Sequence, residues 1–155
     1  SSRDVAPTNQ YQMVVTIRSI GTCLKNSRLY FKYLRRSGFV HPGIDTLQIN
    51  FRDAPQLELV LLKISQMFKY QRYLRRLKLE LNNVAQLTTK AIKLLAKEMR
   101  HLKLLQDLIL TFAGHHKFSN KDSILLKNAL QRMKGLVSLS LDLRETTIKT
   151  EDLTI

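Results

Sequence analysis

The chain of 155 residues contains 26 lysines and arginines against 12 aspartates and glutamates, a formal net charge of +14. Its apolar fraction of 44% suffices for the core of one domain, and 25% charged residues exclude wholesale disorder. A single cysteine excludes a disulfide framework or zinc finger, and no apolar run approaches the roughly 20 residues that span a bilayer. We expect a soluble intracellular protein, cytoplasmic, with an organelle or the nucleus as alternatives.

The positive charge indicates a negatively charged partner. A field of this strength attracts nucleic acid, anionic lipid headgroups or an acidic protein surface, and it accelerates the encounter with each of them. Charge alone does not choose among the three.

The first part of the chain is basic and poor in acids. No acidic residue lies between Asp4 and Asp45. This composition fits either an organellar transit peptide or a basic amphipathic helix that belongs to the fold. The aromatic bulk of Tyr30, Phe31 and Tyr33 favours the helix.

Two segments precede the regular part of the sequence. Residues 1–10 are expected to form a flexible N-terminal segment. Residues 11–43 are expected to form a degenerate first repeat or an N-terminal cap. Alternating apolar residues over 13–17 predict a strand there, and a basic helix should follow over about 23–36.

Four short segments of alternating apolar residues recur through the rest of the chain. They begin at Leu47, Leu77, Leu108 and Leu139, so their spacings are 30, 31 and 31 residues. Alternation with period two over five residues is typical of a strand with one buried face. The sequence therefore predicts four repeated strands.

Between these strands, apolar residues follow the spacing of an amphipathic helix. Adding 31 to the positions of Leu95, Met99 and Leu102 leads to further apolar residues. Subtracting 31 does the same for the first two, but Leu102 falls on Gln71. The helices therefore repeat with the same period as the strands.

A strand–helix unit of this period fixes the topology. Thr88-Thr89 and Ser119-Asn120 supply hydroxyl or amide caps at equivalent helix starts. Each helix returns the chain to the same edge of the sheet, so the strands must run parallel. Because no unit can bury its apolar face alone, neighbouring units are expected to stack into a curved solenoid.

One unit carries a family pattern. The segment from Leu74 to Val84 matches L-x-x-L-x-L-x-x-N-x-L, with Asn82 at the asparagine position, and so resembles the leucine-rich repeats. The long, helix-containing, ribonuclease-inhibitor-like class is the most similar, over about residues 44–155. The resemblance implies an α/β solenoid of about four to five repeats, with a parallel concave sheet, helices on the convex side, and protein binding across the sheet.

The other units depart from this pattern. Arg52, Ala113 and Arg144 stand where the family has its asparagine. We therefore expect irregular turns after the strands, above all around residues 113–118. Residues 44–155 are assigned to the repeats, and residues 148–155 resemble the opening of another unit. We therefore expect the C-terminal end of the solenoid to be uncapped. Either the chain is a fragment or a partner covers that edge.

Two surfaces are candidates for binding. The sheet-face residues alternate with the core leucines and form the candidate protein-binding site: Gln48, Asn50, Arg76, Lys78, Glu80, Asp107, Ile109, Thr111, Ser140 and Asp142. The basic flank lies on and beside the helices and is the candidate site for an anion or RNA: Lys69, Arg72, Arg75, Lys90, Lys93, Lys97, Arg100 and Lys103.

Catalytic and cofactor motifs are missing from the sequence. It contains no phosphate loop, no G-x-S-x-G and no H-E-x-x-H. The adjacent pair His115 and His116 is weak evidence for a metal, and Cys23 has no histidine in a recognisable arrangement. We expect a protein that is not an enzyme and that has no cofactor, metal or small-molecule substrate.

The sequence is compatible with two functions. The first is a non-catalytic interaction or scaffold module, a subunit or fragment of a larger assembly, whose basic flank docks on an acidic protein surface. The alternative is an RNA-binding component of a ribonucleoprotein or organellar ribosome that uses the basic convex helices.

Overall fold

The computed structural model describes residues 5–9, 12–16, 45–51, 57–66, 68–82, 87–114, 118–144 and 146. The predicted basic helix over 23–36, the pair His115 and His116, and the predicted further unit at 148–155 lie outside the described residues. The described elements are, in chain order, β1 (Val5–Asn9), β2 (Gln12–Thr16), β3 (Thr46–Asn50), α1 (Leu57–Gln66), a 3-10 turn (Phe68–Tyr70), β4 (Arg76–Glu80), α2 (Thr89–Met99), β5 (Asp107–Thr111), α3 (Asn120–Arg132) and β6 (Ser138–Asp142).

The strands form one sheet in the order β1 to β6. Strands β2 to β6 run parallel, and β1 pairs antiparallel with β2. Leu47, Leu77, Leu108 and Leu139 lie opposite one another in register. This confirms the α/β class, the parallel sheet and the side-by-side arrangement of the four repeated segments. The strand predicted over 13–17 is also present, as β2.

Strand β1 differs from the expectation of a flexible segment over 1–10. Its residues pair with β2 from Val5 opposite Val15 to Asn9 opposite Gln12, with an irregularity after Pro7. Proline lacks the N–H that a central strand would need, so an edge strand can accommodate it. Residues 5–9 were not predicted as a strand because they lack period-two alternation.

Backbone contacts between units repeat with the sequence period. The carbonyl oxygen of Asp45 accepts hydrogen bonds from the N–H groups of Arg75 and Arg76, at 2.7 and 2.9 Å. The carbonyls of Arg75 and Gln106 each accept two N–H groups from the following unit in the same way. Each unit therefore meets the next through the same main-chain geometry.

The core lies between one face of the sheet and the three helices. Strand residues such as Leu77 and Leu79 are buried together with helix residues such as Leu61, Leu95 and Leu126. The alternate residues of β3 to β6 are exposed or half-buried, so the described helices cover a single face of these four strands. Parallel sheets are ordinarily covered on both faces. The other face is thus left for contacts that the described part of the chain does not make.

The predicted cap of α2 is confirmed. Thr88 is extended, and its hydroxyl oxygen accepts a hydrogen bond from the N–H of Ala91 at 3.2 Å. The same hydroxyl donates to the Glu58 carboxylate in the first turn of α1. Thr88 therefore provides a hydrogen-bond partner for an N–H group in the first turn of α2, which has none within the helix, and it links α2 to α1.

Ser119 is the N-cap residue of α3, as predicted, and its hydrogen bonds run to Asp122 three residues later. The N–H and the hydroxyl of Ser119 both donate to Asp122 Oδ2, at 2.9 and 3.2 Å. The carboxylate of Asp122 is buried beneath the first turn of the helix, where the helix dipole favours a negative charge.

The core is less well covered at β6. Leu139 is 37% exposed, whereas Leu47, Leu77 and Leu108 at the equivalent positions are at most 2% exposed. Val137, just before the strand, is 84% exposed.

Within the described ranges, no helix combines the length and the apolar character needed to cross a membrane.

Candidate functional site

The structure brings the sheet-face residues together in rows across the strands. One row joins Gln48, Lys78, Ile109 and Ser140 through the register of β3 to β6. A second row joins Asn50, Glu80, Thr111 and Asp142. Arg76 and Asp107 are direct cross-strand neighbours at the start of their strands. All ten residues therefore lie on one face, as the alternation predicts; their binding role stays a prediction.

The charges on this face are largely paired with one another. Arg76 Nε lies 3.2 Å from Asp107 Oδ2, and Lys78 Nζ lies 3.2 Å from Glu80 Oε1. Such exposed pairs add little stability, typically less than about 1 kcal/mol, but they cancel the local field. The sheet face therefore offers small polar groups and paired charges rather than a cationic surface.

A third ion pair lies at the end of β6. Arg144 Nη2 lies 2.8 Å from Asp142 Oδ2, and the backbone N–H of Arg144 donates to Asp142 Oδ1 at 3.1 Å. The side-chain hydrogen bond from Arg144, the backbone hydrogen bond and the guanidinium charge lower the pKa of Asp142 below its ordinary value of 3.8, against a smaller opposing effect of burial.

We expect Arg144→Met to raise the pKa of Asp142 towards its ordinary value, because the side-chain hydrogen bond and the charge are lost while the backbone N–H remains. A lowered carboxyl pKa stabilises the fold above the unfolded pKa, and this stabilisation is lost as the pH falls through the folded pKa. The variant should therefore be less stable than the wild type at neutral pH and should approach it in acid. Carboxyl NMR titration measures the pKa, with Arg132→Met as a control that leaves Asp142 unchanged.

The basic flank is exposed throughout. All eight residues are exposed, but they lie in two places: Lys69, Arg72 and Arg75 follow α1, whereas the others lie on α2 and in the turn after it. Over residues 87–106, the sole acidic residue is Glu98. Its carboxylate lies 3.5 Å from His101 Nε2. Within the described residues, the lysines of α2 have no salt-bridge partner, so the cationic excess is concentrated on the helix side.

Three of the exposed cations recur at the spacing of the repeat. Arg72, Lys103 and Lys134 occupy equivalent turns, 31 residues apart, just before β4, β5 and β6. All three are exposed. The two unlike surfaces of the protein are therefore a neutralised sheet face and a cationic helix side.

A groove that the sequence does not predict lies between α2 and α3. Its volume is about 250 Å³, and it is open to solvent. The described residues that line it are Lys93, Ala96, Lys97, Arg100, Leu125, Asn128, Ala129 and Arg132. The helical spacing of the lysines on α2 and the presence of Arg132 on α3 indicate clustered positive charge, but the cavity itself depends on how the two helices pack.

Neither a metal-binding group among the described residues nor similarity to a known protein assigns a function to the chain. Among the described residues, no group of three or more histidine, cysteine or acidic side chains could hold a metal ion, and Cys23 lies outside those residues. No protein-family model matches the chain, and no curated protein matches it either. Any functional assignment therefore depends on the two surfaces themselves.

Proposed function

We propose that the chain is a leucine-rich-repeat solenoid that binds other proteins and acts as a non-catalytic scaffold subunit of a larger assembly. The observation that carries this proposal is the in-register parallel sheet with a polar face that the described helices leave open. A face of small polar groups and paired charges suits contact with another folded protein, since it needs little desolvation of unpaired charge.

One side-chain contact supports the family assignment within this proposal. Asn82 Oδ1 accepts a hydrogen bond from the backbone N–H of Ala113 in the next unit, at 2.8 Å. This is the asparagine of the L-x-x-L-x-L-x-x-N-x-L pattern, used to join consecutive repeats. In the next unit Ala113 cannot make such a bond, and the turn instead uses Gly114, whose φ of 85° is the left-handed conformation that glycine adopts readily.

The two surfaces have different roles in the proposed function. The cationic helix side attracts an acidic partner over distances of about 8 Å at physiological salt and so raises the rate of encounter. The sheet face then supplies the specific contacts, with Ile109 as an exposed apolar side chain among polar neighbours. In this proposal the protein performs no chemistry of its own.

Affinity capture of the intact assembly, with and without nuclease, tests this function. We expect partner proteins to remain bound after nuclease treatment. Ile109→Arg should remove them, because it places a bulky charge on the sheet face. The matched control is Ile124→Arg: Ile124 is 55% exposed on α3, on the helix side, so this variant should retain the partners. Loss of every partner on nuclease treatment, or equal retention by both variants, would contradict the proposal.

RNA binding is the second candidate, and one observation favours it. Tyr73 is 43% exposed beside Arg72, in the same row of turns as Lys103 and Lys134. An exposed aromatic ring next to cations can stack on a base while the cations contact phosphates. The nuclease arm of the capture experiment decides between the two candidates.

A further inference from the structure

The rim of the groove between α2 and α3 is cationic. Lys93 and Lys97 line it from α2, Arg100 lines it from the position directly after α2, and Arg132 lines it from α3. The first three are spaced by four and three residues, so they share one side of α2 over a length of about 10 Å. Among the described lining residues, none is acidic. Four positive charges therefore converge on one opening.

The floor of the groove is apolar. Ala96 from α2 and Leu125 and Ala129 from α3 form it, since these three lining residues are half-buried, whereas Asn128 and the four cations are exposed. The two alanines leave space between the helices that larger side chains would fill. With a volume of about 250 Å³, the groove is smaller than the roughly 300–1,000 Å³ of ordinary small-molecule pockets, so it suits an inserted side chain better than a cofactor.

This combination is particular to α2 and α3 and is not a consequence of the repeat. The positions 31 residues before Lys93, Lys97 and Arg100 hold Leu62, Gln66 and Lys69. The position 31 residues before Ala129 holds Glu98, an acid. The equivalent positions of α1 and α2 therefore carry fewer cations and a carboxylate.

We infer that this groove binds an acidic peptide segment of a partner protein, which inserts an apolar side chain between the helices. The inference rests on the proposed protein-binding function and names the site and the chemistry of the partner. Glutamates or aspartates flanking a leucine-sized side chain match the charged rim and the apolar floor at once. This is the helix-in-groove or short-segment mode of peptide recognition, with electrostatic complementarity added.

A peptide fits the groove better than RNA does. Phosphates would satisfy the rim, but the floor presents alanines and a leucine, and no aromatic side chain is among the described lining residues. Bases are ordinarily held by aromatic stacking or by hydrogen bonds to their edges. An apolar floor is instead complementary to an aliphatic or aromatic side chain of a protein.

Binding of a defined peptide to the full chain tests the inference. The probe is a short fluorescent peptide with leucines at helical spacing among glutamates, followed by anisotropy. Lys93→Glu combined with Lys97→Glu should weaken binding at least about tenfold, because both charges at the rim are reversed. The matched control is Lys121→Glu combined with Lys127→Glu, an equal change of charge on lysines of α3 that neither line the groove nor belong to the basic flank, which should weaken it less than about threefold. Circular dichroism checks that both variants fold.

Two further measurements separate insertion from general attraction. A peptide with its leucines replaced by glutamine keeps the charge and should bind at least about tenfold more weakly. Ala129→Trp should also weaken binding of the leucine peptide, because the indole fills the floor without changing the charge.

Four outcomes would overturn the inference. In one, the glutamine peptide binds as well as the leucine peptide; in a second, the two double variants weaken binding equally. In a third, the wild type binds neither peptide. In the fourth, a uridine oligonucleotide binds and the groove variant loses the oligonucleotide instead of the peptide. Partners retained through the sheet face in the nuclease experiment would still support the proposed function in each case.

Discussion

Leu108→Ala is expected to lower the free energy of unfolding by about 2–5 kcal/mol, the range for removing a fully buried leucine side chain from a packed core. Leu108 is completely buried in β5, with Leu77 and Leu139 as its neighbours in the adjacent strands. The cavity would lie between consecutive units, where the backbone ladder on both sides prevents the sheet from collapsing to fill it.

The equivalent leucine of the next unit is the matched control. Leu139 is 37% exposed, so Leu139→Ala should cost only about 1–2 kcal/mol, since less apolar surface returns to water. Ile109→Ala, on the sheet face beside Leu108, should cost less again. Urea denaturation measures all three. Equal losses for Leu108→Ala and Leu139→Ala would contradict the structure at β6, because they would require Leu139 to be as well buried as Leu108.

The strand register could be predicted from the sequence because two periods are superimposed in it. Alternation identifies the strands that begin at Leu47 and Leu77, and the spacing of 30 to 31 residues places them side by side. The end of α2 could not be predicted in this way. Apolar residues continue at Leu102 and Leu105, but the α-helix ends at Met99, and the N–H groups of His101 and Leu102 then bond to carbonyls three residues back. A spacing of three is common to both helix types, so the pattern does not distinguish them.

The candidate surfaces were predictable to different degrees. Strand alternation is sufficient to place Lys78 and Glu80 on one face. The pairing of Arg76 with Asp107 depends on the spacing of 31 residues between β4 and β5, which the sequence shows, and on side chains long enough to meet across the two strands. The groove was not predictable, because Ala96 is an ordinary helix residue in the sequence, and the space beside it exists only through the packing of α2 against α3.

Gln71 breaks the repeat in the core. Its side chain is 2% exposed, and among the described residues neither its amide nitrogen nor its amide oxygen has a hydrogen-bond partner. Leu102 and Met133 occupy the equivalent positions in the following units and are also buried. The backbone is the same in all three: the N–H of Gln71 donates to the carbonyl of Phe68 at 2.9 Å, and the N–H of Leu102 and of Met133 donates to a carbonyl three residues back, at 3.0 and 3.1 Å.

Gln71→Leu should therefore raise the free energy of unfolding by about 1–3 kcal/mol, the cost of burying an amide without hydrogen bonds. The backbone already accepts leucine in this geometry at position 102, and the two side chains are similar in size, so little repacking opposes the gain. The reciprocal variant, Leu102→Gln, introduces the same unpaired amide into a unit that lacks it and should destabilise the fold by at least about 2 kcal/mol. Urea denaturation of both variants measures the pair. If Gln71→Leu were destabilising, the amide would have a partner in solution that the core around Phe68 and Leu74 does not provide.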